Sequence, residues 1–272
     1  MKRDLISVKD LASKEIEDLF DLAIKLKRNS LKFNRVLAGK TLALIFQKPS
    51  NRTRVSFEVG MYQLGGNSIY LSPGEINLGV RETIKDAART ISRYVDGIVL
   101  RTFEHKNCQE MAAAASVPVV NGLSDFSHPC QALADLFTIG EKFARFNRPA
   151  AQPGSRLKGL TLAYIGDGNN VCNSLLFAAA KTGLNIAVAS PDGYAPDSSV
   201  VKEAKETAKE TGSQIRITQD PFSAVNGANA VYTDVWTSMG QEEESAKRKI
   251  IFKDFQINAR LLTNAAPGVL VM

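Results

Sequence analysis

The chain has 272 residues, of which 44% are hydrophobic and 23% are charged, and its 34 basic and 28 acidic side chains give a formal net charge of +6. These proportions are typical of a globular protein and exclude collagen, coiled-coil and largely disordered chains. The length suits two domains of ~100–200 residues each, which are large enough to bury cores of their own.

The charge and cysteine patterns narrow the possible partners and the compartment. The densest basic run, Lys247–Lys249, follows Glu242–Glu244 at the four-residue spacing of ion pairs, which predicts a solvated helix face. No RNP-like aromatic motif or basic stripe is found, so no nucleic acid partner is expected. No apolar run approaches the ~20 residues of a membrane helix, and the charged N-terminus is unlike a secretory signal. Three widely spaced cysteines without a C-x-x-C pair (Cys108, Cys130, Cys172) predict no disulfide and no zinc site, hence a cytoplasmic protein.

Helical and strand periods alternate through the first half of the chain. In order, the patterns predict a helix capped by Ser13, a strand at Thr41–Phe46, a helix from about Thr53, a strand at Ser68–Leu71, a helix at Glu82–Tyr94, a strand at Gly97–Leu100, a helix at Cys108–Ala115, a strand at Val117–Val120 and a helix from about Pro129. Phe143–Lys158, which contains two prolines and a glycine, interrupts the alternation and predicts a boundary.

The alternation resumes in the second half. It predicts strands at Leu160–Ile165, Ile186–Ala189, Ile215–Thr218, Ala230–Thr233 and Val269–Met272, and helices at Val171–Thr182, at Ser199–Thr211 and from about Glu242. The whole succession predicts an α/β fold of two doubly wound parallel-sheet domains, residues 1–145 and 146–272.

Two predicted loops between a strand and a helix in the first half contain candidate functional residues. Ser50–Arg54 (SNRTR) opens a helix, where unpaired N–H groups, a partial positive charge and guanidinium groups suit a phosphate. An ordinary capped helix with solvated arginines explains the same residues equally well. His128, Pro129 and Gln131 begin another helix, and their side chains include donors for a carbonyl oxygen, although a histidine bonded to backbone is the simpler interpretation. Cys130 is expected to be a small buried residue, not a nucleophile.

Two further loops follow predicted strands of the second half. Gly166–Asn170 (GDGNN) matches only the start of the dinucleotide pattern G-x-G-x-x-G, because Val171 stands at its last glycine. In Tyr232–Gln241, Asp234 suits an ammonium group and Ser238 a carboxylate. Trp236, in the same loop, suits packing or a ligand contact equally well. Loops at the carboxyl ends of strands are where ligands bind in open α/β sheets.

Together and in this order, the four segments resemble the carbamoyltransferase family over nearly the whole chain. SNRTR is similar to the family's S-T-R-T-R loop, His128–Gln131 matches H-P-C-Q, and Gly166–Asn170 and Asp234–Gly240 match the ornithine-side motifs. The resemblance implies transfer of a carbamoyl group from carbamoyl phosphate to the side-chain amine of L-ornithine, giving citrulline and phosphate. This reaction serves arginine biosynthesis or, in reverse, catabolism. The resemblance also implies a homotrimer with no metal and no organic cofactor.

The resemblance also assigns residue roles. It places around carbamoyl phosphate the side chains of Ser50, Asn51, Arg52, Thr53, Asn77, Arg101, His128, Pro129, Cys130 and Gln131. Arg101 and His128 would be catalytic and, with Thr53, would polarise the carbonyl oxygen, while Gln131 would hold the carbamoyl nitrogen. The residues implied for ornithine are Asn170, Asp234, Ser238 and Met239. Asn51 replaces the family's usual threonine, and Asn77 replaces a glutamine of many relatives.

Other functions remain open on the sequence alone. Aspartate, acetylornithine and putrescine are alternative acceptors, although the D-V-W-T-S-M-G loop favours ornithine. A nucleotide-dependent oxidoreductase built on GDGNN, or a protein that binds carbamoyl phosphate without transferring it, are different classes. Relatives continue past the Val269–Met272 strand into an H-C-L-P motif and a later arginine near ornithine. The sequence is therefore expected to be a fragment whose carbamoyl phosphate groups are present and whose ornithine groups are incomplete.

Overall fold

Two parallel β-sheets organise the chain, which the computed structural model describes over residues 2–147, 153–237 and 242–272. They belong to two units, one formed by Met1–Leu11 with Leu19–Cys130 and the other by Ala12–Asp18 with Gln131–Met272. The sequence-based expectation of an α/β fold with two parallel sheets is confirmed. The boundary between the two domains, predicted after residue 145, stays a prediction.

The first unit has a four-stranded sheet in the order β2-β1-β3-β4. Its strands are β1 (Thr41–Phe46), β2 (Asn67–Leu71), β3 (Gly97–Arg101) and β4 (Val119–Leu123), and its helices include α2 (Asn51–Gln63), α3 (Pro73–Ile76), α4 (Ile84–Ile91) and α5 (His105–Ala114), after α1 (Ser13–Arg28). One sheet face packs against Ala87 of α4 and Met111 of α5, and the other packs against Phe57 of α2. Phe46 pairs with Arg101. The loop that leads into α2 and the Arg101 side chain therefore share the carboxyl edge of this sheet.

The second unit has a five-stranded parallel sheet in the order β7-β6-β5-β8-β9. Its strands are β5 (Thr161–Ile165), β6 (Asn185–Ala189), β7 (Ile215–Thr218), β8 (Ala230–Tyr232) and β9 (Leu270–Val271), and its helices are α7 (Asn170–Thr182), α8 (Ser198–Thr211), α9 (Pro221–Val225), α10 (Ser245–Ile251) and α11 (Ala259–Leu262), after α6 (Pro129–Lys142). The chain runs outward from β5 through β6 and β7, then returns to the other side of β5 as β8. The gap between β5 and β8 is thus the topological switch point, where open sheets bind ligands.

Several elements differ from the sequence-based predictions for physical reasons. The strand predicted at Val117–Val120 lies at Val119–Leu123, where a register irregularity at Leu100/Arg101 accommodates the weak strand formers Asn121 and Gly122. Helices α3, α9 and α11 have four or five residues, too few to show a helical period.

Two local predictions were wrong. Helix α1 begins at Ser13 itself, so Ser13 is not its cap, and the Glu15 carboxylate instead accepts the Ala12 N–H at 2.8 Å. The run that includes Arg248 is not an entirely solvated face, because the Arg248 side chain is only 5% exposed. Its guanidinium bonds Glu244 at 2.9 Å, as the spacing predicts, but also Asp167 at 2.7 Å. A partner distant in sequence thus holds Arg248 inside the fold.

Within the described ranges, no helix is both long and apolar enough to cross a membrane. The same residues contain no group of three or more histidine, cysteine, aspartate or glutamate side chains able to hold a metal ion. All three cysteines are free thiols.

Candidate active site

The N-terminus of α2 lies at the carboxyl edge of the first sheet. Ser50 caps the helix in an extended conformation, and its hydroxyl accepts the Thr53 N–H at 3.3 Å. The first turn has no acidic side chain. The first N–H groups of a helix lack intrahelical partners and carry a partial positive charge. With Asn51 and Arg52 exposed in this turn, the loop has the properties of an anion site.

Arg101 extends this positive region from the end of β3. Its side chain is 6% exposed, and Nη1 donates to the Thr53 hydroxyl at 3.4 Å. Nε is buried and has no hydrogen-bond partner among the described residues. Burial, followed by the charge of Arg52, lowers the pKa of Arg101. A buried guanidinium N–H without an acceptor is costly, so an anionic or carbonyl oxygen is the ligand that this group suits.

His128 is the second titratable donor of this unit and stands just before α6. Burial, and then the positive charge of Arg101, lower its pKa to about 4. The imidazole is therefore neutral at neutral pH, with one N–H donor and one acceptor nitrogen. Such a ring can donate a hydrogen bond to a carbonyl oxygen without carrying a charge of its own.

The thiol that follows Pro129 is not a nucleophile. Cys130 Sγ lies 3.7 Å from the Asn121 carbonyl oxygen, and burial raises the pKa of this thiol to about 12. Burial likewise raises the pKa of Cys108 to about 12 and that of Cys172 further. Cys108 and Cys172 are buried, whereas Cys130 is partly exposed. Because thiolates are the reactive form, the raised pKa values make all three thiols weak nucleophiles at neutral pH.

Asn77 lies in an exposed turn, where the sequence singled it out only by resemblance. Its backbone is left-handed, with φ of 43°, and its carbonyl accepts the N–H groups of Val80 and Arg81 at 3.1 and 3.0 Å. Gln47, which sequence reasoning missed, donates to the Leu78 carbonyl at 3.1 Å. Gln47 thereby ties the Asn77 turn to the end of β1, while a role of Asn77 toward a ligand stays a prediction.

In the second unit, Gln131 is held by a buried carboxylate. Gln131 Nε2 donates to Asp135 Oδ1 at 2.8 Å, one turn along α6. Asp135 is 5% exposed, and burial raises its pKa to about 6. Hydrogen bonds with the Gln131 amide and the Tyr232 hydroxyl lower this pKa, whereas the negative charge of Asp234 raises it. Sequence reasoning missed Asp135, although its four-residue spacing from Gln131 was a usable signal.

The glycine loop after β5 closes on the chain itself. A Cβ on Gly168 would stand 2.2 Å from the Pro196 nitrogen, and the Gly168 N–H donates to the Tyr194 carbonyl at 2.8 Å. In dinucleotide sites, the corresponding glycine lets the pyrophosphate approach the backbone. Here the Tyr194–Pro196 segment fills that space, which argues against the oxidoreductase alternative.

Asp234 lies beside this loop at the switch point. Asn169 caps α7 by accepting the Val171 and Cys172 N–H groups at 3.0 and 3.1 Å, and its Nδ2 donates to Asp234 Oδ2 at 3.1 Å. Sequence reasoning placed Asn169 and Asn170 in this loop and assigned the substrate contact to Asn170, the first residue of α7, but it did not foresee that Asn169 fixes the carboxylate. The structure therefore brings Asp234 and the GDGNN loop together at the edge where a ligand is expected.

The rest of the second motif is only partly described. Ser238 and Met239 lie outside the described residues. Trp236 stacks on Phe252 with ring centroids 5.7 Å apart, and its carbonyl accepts from Arg248 Nη1 at 2.9 Å. Packing and backbone anchoring are thus the roles observed for Trp236.

Comparison with known proteins finds the same family for both units. The model described as aspartate/ornithine carbamoyltransferase, carbamoyl-P binding domain, matches residues 3–141, and the Asp/Orn binding domain of the same family matches residues 158–272. The chain belongs to the aspartate/ornithine carbamoyltransferase family. The carbamoyl-P model contains the α2 N-terminus, Arg101 and His128, whereas the Asp/Orn model contains the GDGNN loop and Asp234.

Individual relatives agree with this assignment. An ornithine carbamoyltransferase of Thermococcus kodakarensis is 50% identical over 272 residues, which cover 99% of this chain and 83% of that protein. The solved ornithine carbamoyltransferase of Pyrococcus furiosus has a TM-score of 0.92 at 47% identity and covers 99% of this chain and 83% of its own. The anabolic enzyme of Campylobacter jejuni has a TM-score of 0.90 at 34% identity, covering 100% and 85%.

Proposed function

We propose that the protein transfers the carbamoyl group of carbamoyl phosphate to the side-chain amine of L-ornithine, giving citrulline and phosphate. The observation that supports the donor most directly is the Arg101 guanidinium, whose buried Nε lacks an acceptor beside the N-terminus of α2. The names of the similar proteins support ornithine as the acceptor.

In the proposed donor site, the α2 N-terminus binds the phosphate. Backbone N–H groups, including that of Asn51, and the side chains of Ser50, Arg52 and Thr53 bond its oxygens, together with Arg101. Asn51 serves through its N–H, since it has no hydroxyl. Pro129 begins α6 without an N–H to satisfy, Cys130 fills space beside it, and Asn77 completes the rim.

Catalysis in this proposal is electrostatic. The neutral ornithine amine attacks the carbonyl carbon, and the new C–N bond pushes negative charge onto the carbonyl oxygen. The C–O bond to phosphate then breaks as phosphate leaves with the electron pair, and the attacking nitrogen gives its extra proton to the departing phosphate. Arg101, Thr53 and His128 donate to the carbonyl oxygen, and the α2 N-terminus stabilises the leaving phosphate. Fixed donors aimed at developing charge lower the barrier more than they stabilise the ground state.

The proposed acceptor site lies at the switch point of the second sheet. The Asp234 carboxylate, held by Asn169 at 3.1 Å, binds the α-ammonium group of ornithine. Asn170, at the first position of α7, bonds the same end of the substrate, and Ser238 and Met239 are proposed to complete it.

The assay is citrulline formation by the purified chain from carbamoyl phosphate and a panel of amines. Ornithine is expected to react, while aspartate, acetylornithine and putrescine are not. Preferential reaction with another amine would replace ornithine as the substrate. Carbamoyl phosphate binding with no product from any amine would support a binding protein in place of an enzyme.

Pathway, assembly, compartment and domain limits are further parts of the proposal. A relative in Pyrococcus furiosus is named anabolic, which supports a role in arginine biosynthesis. Exposed Val55, Val59 and Tyr62 form an apolar strip along α2, which supports an interface between copies, and the proposed assembly is a homotrimer. Light scattering should give three times the mass of the chain. Free thiols support a cytoplasmic location, and the family matches support a boundary near residue 145.

A further inference from the structure

The Gln131 amide has a defined orientation. An ionised carboxylate only accepts hydrogen bonds, so the group that faces Asp135 Oδ1 at 2.8 Å must be the NH₂ end of Gln131. The amide is planar, and its two ends point in different directions. Its carbonyl oxygen, Oε1, is therefore turned away from Asp135.

Tyr232 reinforces this orientation from β8. Its pKa is raised chiefly by burial and by Asp135, while a hydrogen bond with Gln131 lowers it. The Tyr232 ring stacks on Tyr164 with centroids 5.8 Å apart, which fixes the position of the hydroxyl. Gln131 is thus held by a carboxylate and a phenol that are themselves packed within the second unit.

We propose that Asp135 is a positioning residue that makes the site select a carbamoyl group over an acetyl group. Asp135 holds the NH₂ end of Gln131, so that Oε1 is presented as an acceptor to the carbamoyl NH₂ of the donor. A methyl group in that place cannot donate and would leave Oε1 without a partner. This inference rests on the proposed function, because it needs a carbamoyl donor at Gln131.

Burying a carboxylate costs folding free energy unless the charge is paired and fully hydrogen-bonded. Asp135 is 5% exposed, and its second oxygen, Oδ2, has no hydrogen-bond partner among the described residues. An uncharged side chain would fold there at lower cost. An uncharged side chain with a donor group, however, could bond either end of the Gln131 amide. A carboxylate, which only accepts hydrogen bonds, keeps the NH₂ end of Gln131 turned toward Asp135 and away from the substrate.

The test compares two stable ligands that differ only in this group, phosphonoacetamide and its methyl ketone counterpart, 2-oxopropylphosphonate. Calorimetry gives the ratio of their dissociation constants, which is expected to favour the amide by about tenfold or more in the wild type. In Asp135→Ala the ratio should fall by about three- to tenfold, through weaker amide binding alone. Gln131→Ala should lower it as much, and the double variant no further. Asp135→Asn, which can face Gln131 with either end, should give an intermediate ratio.

The controls separate positioning from structure. Glu141→Ala removes an exposed carboxyl from the same helix and should leave the ratio unchanged. Equal weakening of both ligands in Asp135→Ala, or additive effects in the double variant, would mean that Asp135 only supports the fold. If Asp135→Ala does not fold, an unchanged ratio in Asp135→Asn overturns the proposal. Citrulline formation by the wild type is measured in parallel, because its absence would refute the proposed function separately.

Discussion

Replacing Asp135 by asparagine should stabilise the second unit at neutral pH. Burial raises the pKa of Asp135 from 3.8 to about 6, a shift of roughly two units that corresponds to about 3 kcal/mol. The folded state therefore binds this proton more tightly than the unfolded state does. The carboxyl group destabilises the fold fully above about pH 6, and this penalty disappears as the pH falls below about 4. Asparagine is neutral at every pH and avoids the penalty.

The assay is urea unfolding followed by the fluorescence of Trp236, the only tryptophan, which lies in the same unit as Asp135. Between pH 4.5 and 8, the stability difference between Asp135→Asn and wild type should grow by about 2 kcal/mol, from about 1 to about 3 kcal/mol. Asp254→Asn, at an exposed position, should show no such growth. A difference that is constant across the pH range, or a variant less stable than wild type at pH 7.5, would refute the reasoning.

Three other substitutions test separate parts of the structure. Arg101→Ala should keep the circular dichroism spectrum and lower kcat about 10²- to 10³-fold, the usual effect of losing one oxyanion donor; near-wild-type turnover would remove Arg101 from the site. Gly168→Ala forces a Cβ to 2.2 Å from the Pro196 nitrogen, so a clear fall in Tm is expected, and an unchanged Tm would contradict this packing. Arg248→Met leaves the partly buried Asp167 without its cation and should cost about 1–3 kcal/mol of unfolding free energy. Adding Asp167→Asn should restore part of that loss, and failure of this rescue would show that the ion pair is not the cause.

Most of the fold could be predicted from the sequence because buried parallel strands and amphipathic helices have strong local patterns. The strands at Thr41–Phe46 and Ile215–Thr218 match their predicted bounds. Two of the predictions that differ from the structure depend on partners distant in sequence. Strand Val119–Leu123 continues through Asn121 and Gly122 because β3 pairs with it. Arg248 is buried because it bonds Asp167, and this partner was not recognisable because it lies 81 residues away in sequence.

The candidate site shows the same division. Residues at loop-to-helix junctions, such as Ser50 and His128, could be singled out from the sequence because capping residues and strand ends have recognisable patterns. Asp135 was missed, and the contact of Asn169 with Asp234 was not foreseen, because both roles lie in orienting a neighbouring side chain. A single sequence reports which residues have useful chemistry, but an orienting partner is recognisable only when its distance and burial are known.

The state of the thiols has a practical consequence. Cys108 and Cys130 have pKa values raised to about 12, and that of Cys172 is raised by burial as well. Maleimide and iodoacetamide reagents attack thiolates, so the native chain should take up little label at pH 7. A single cysteine introduced at an exposed position can then be modified with a fluorophore or spin label without first removing the native ones. Labelling of the native cysteines should therefore contribute little signal when the motions of the protein are followed in solution.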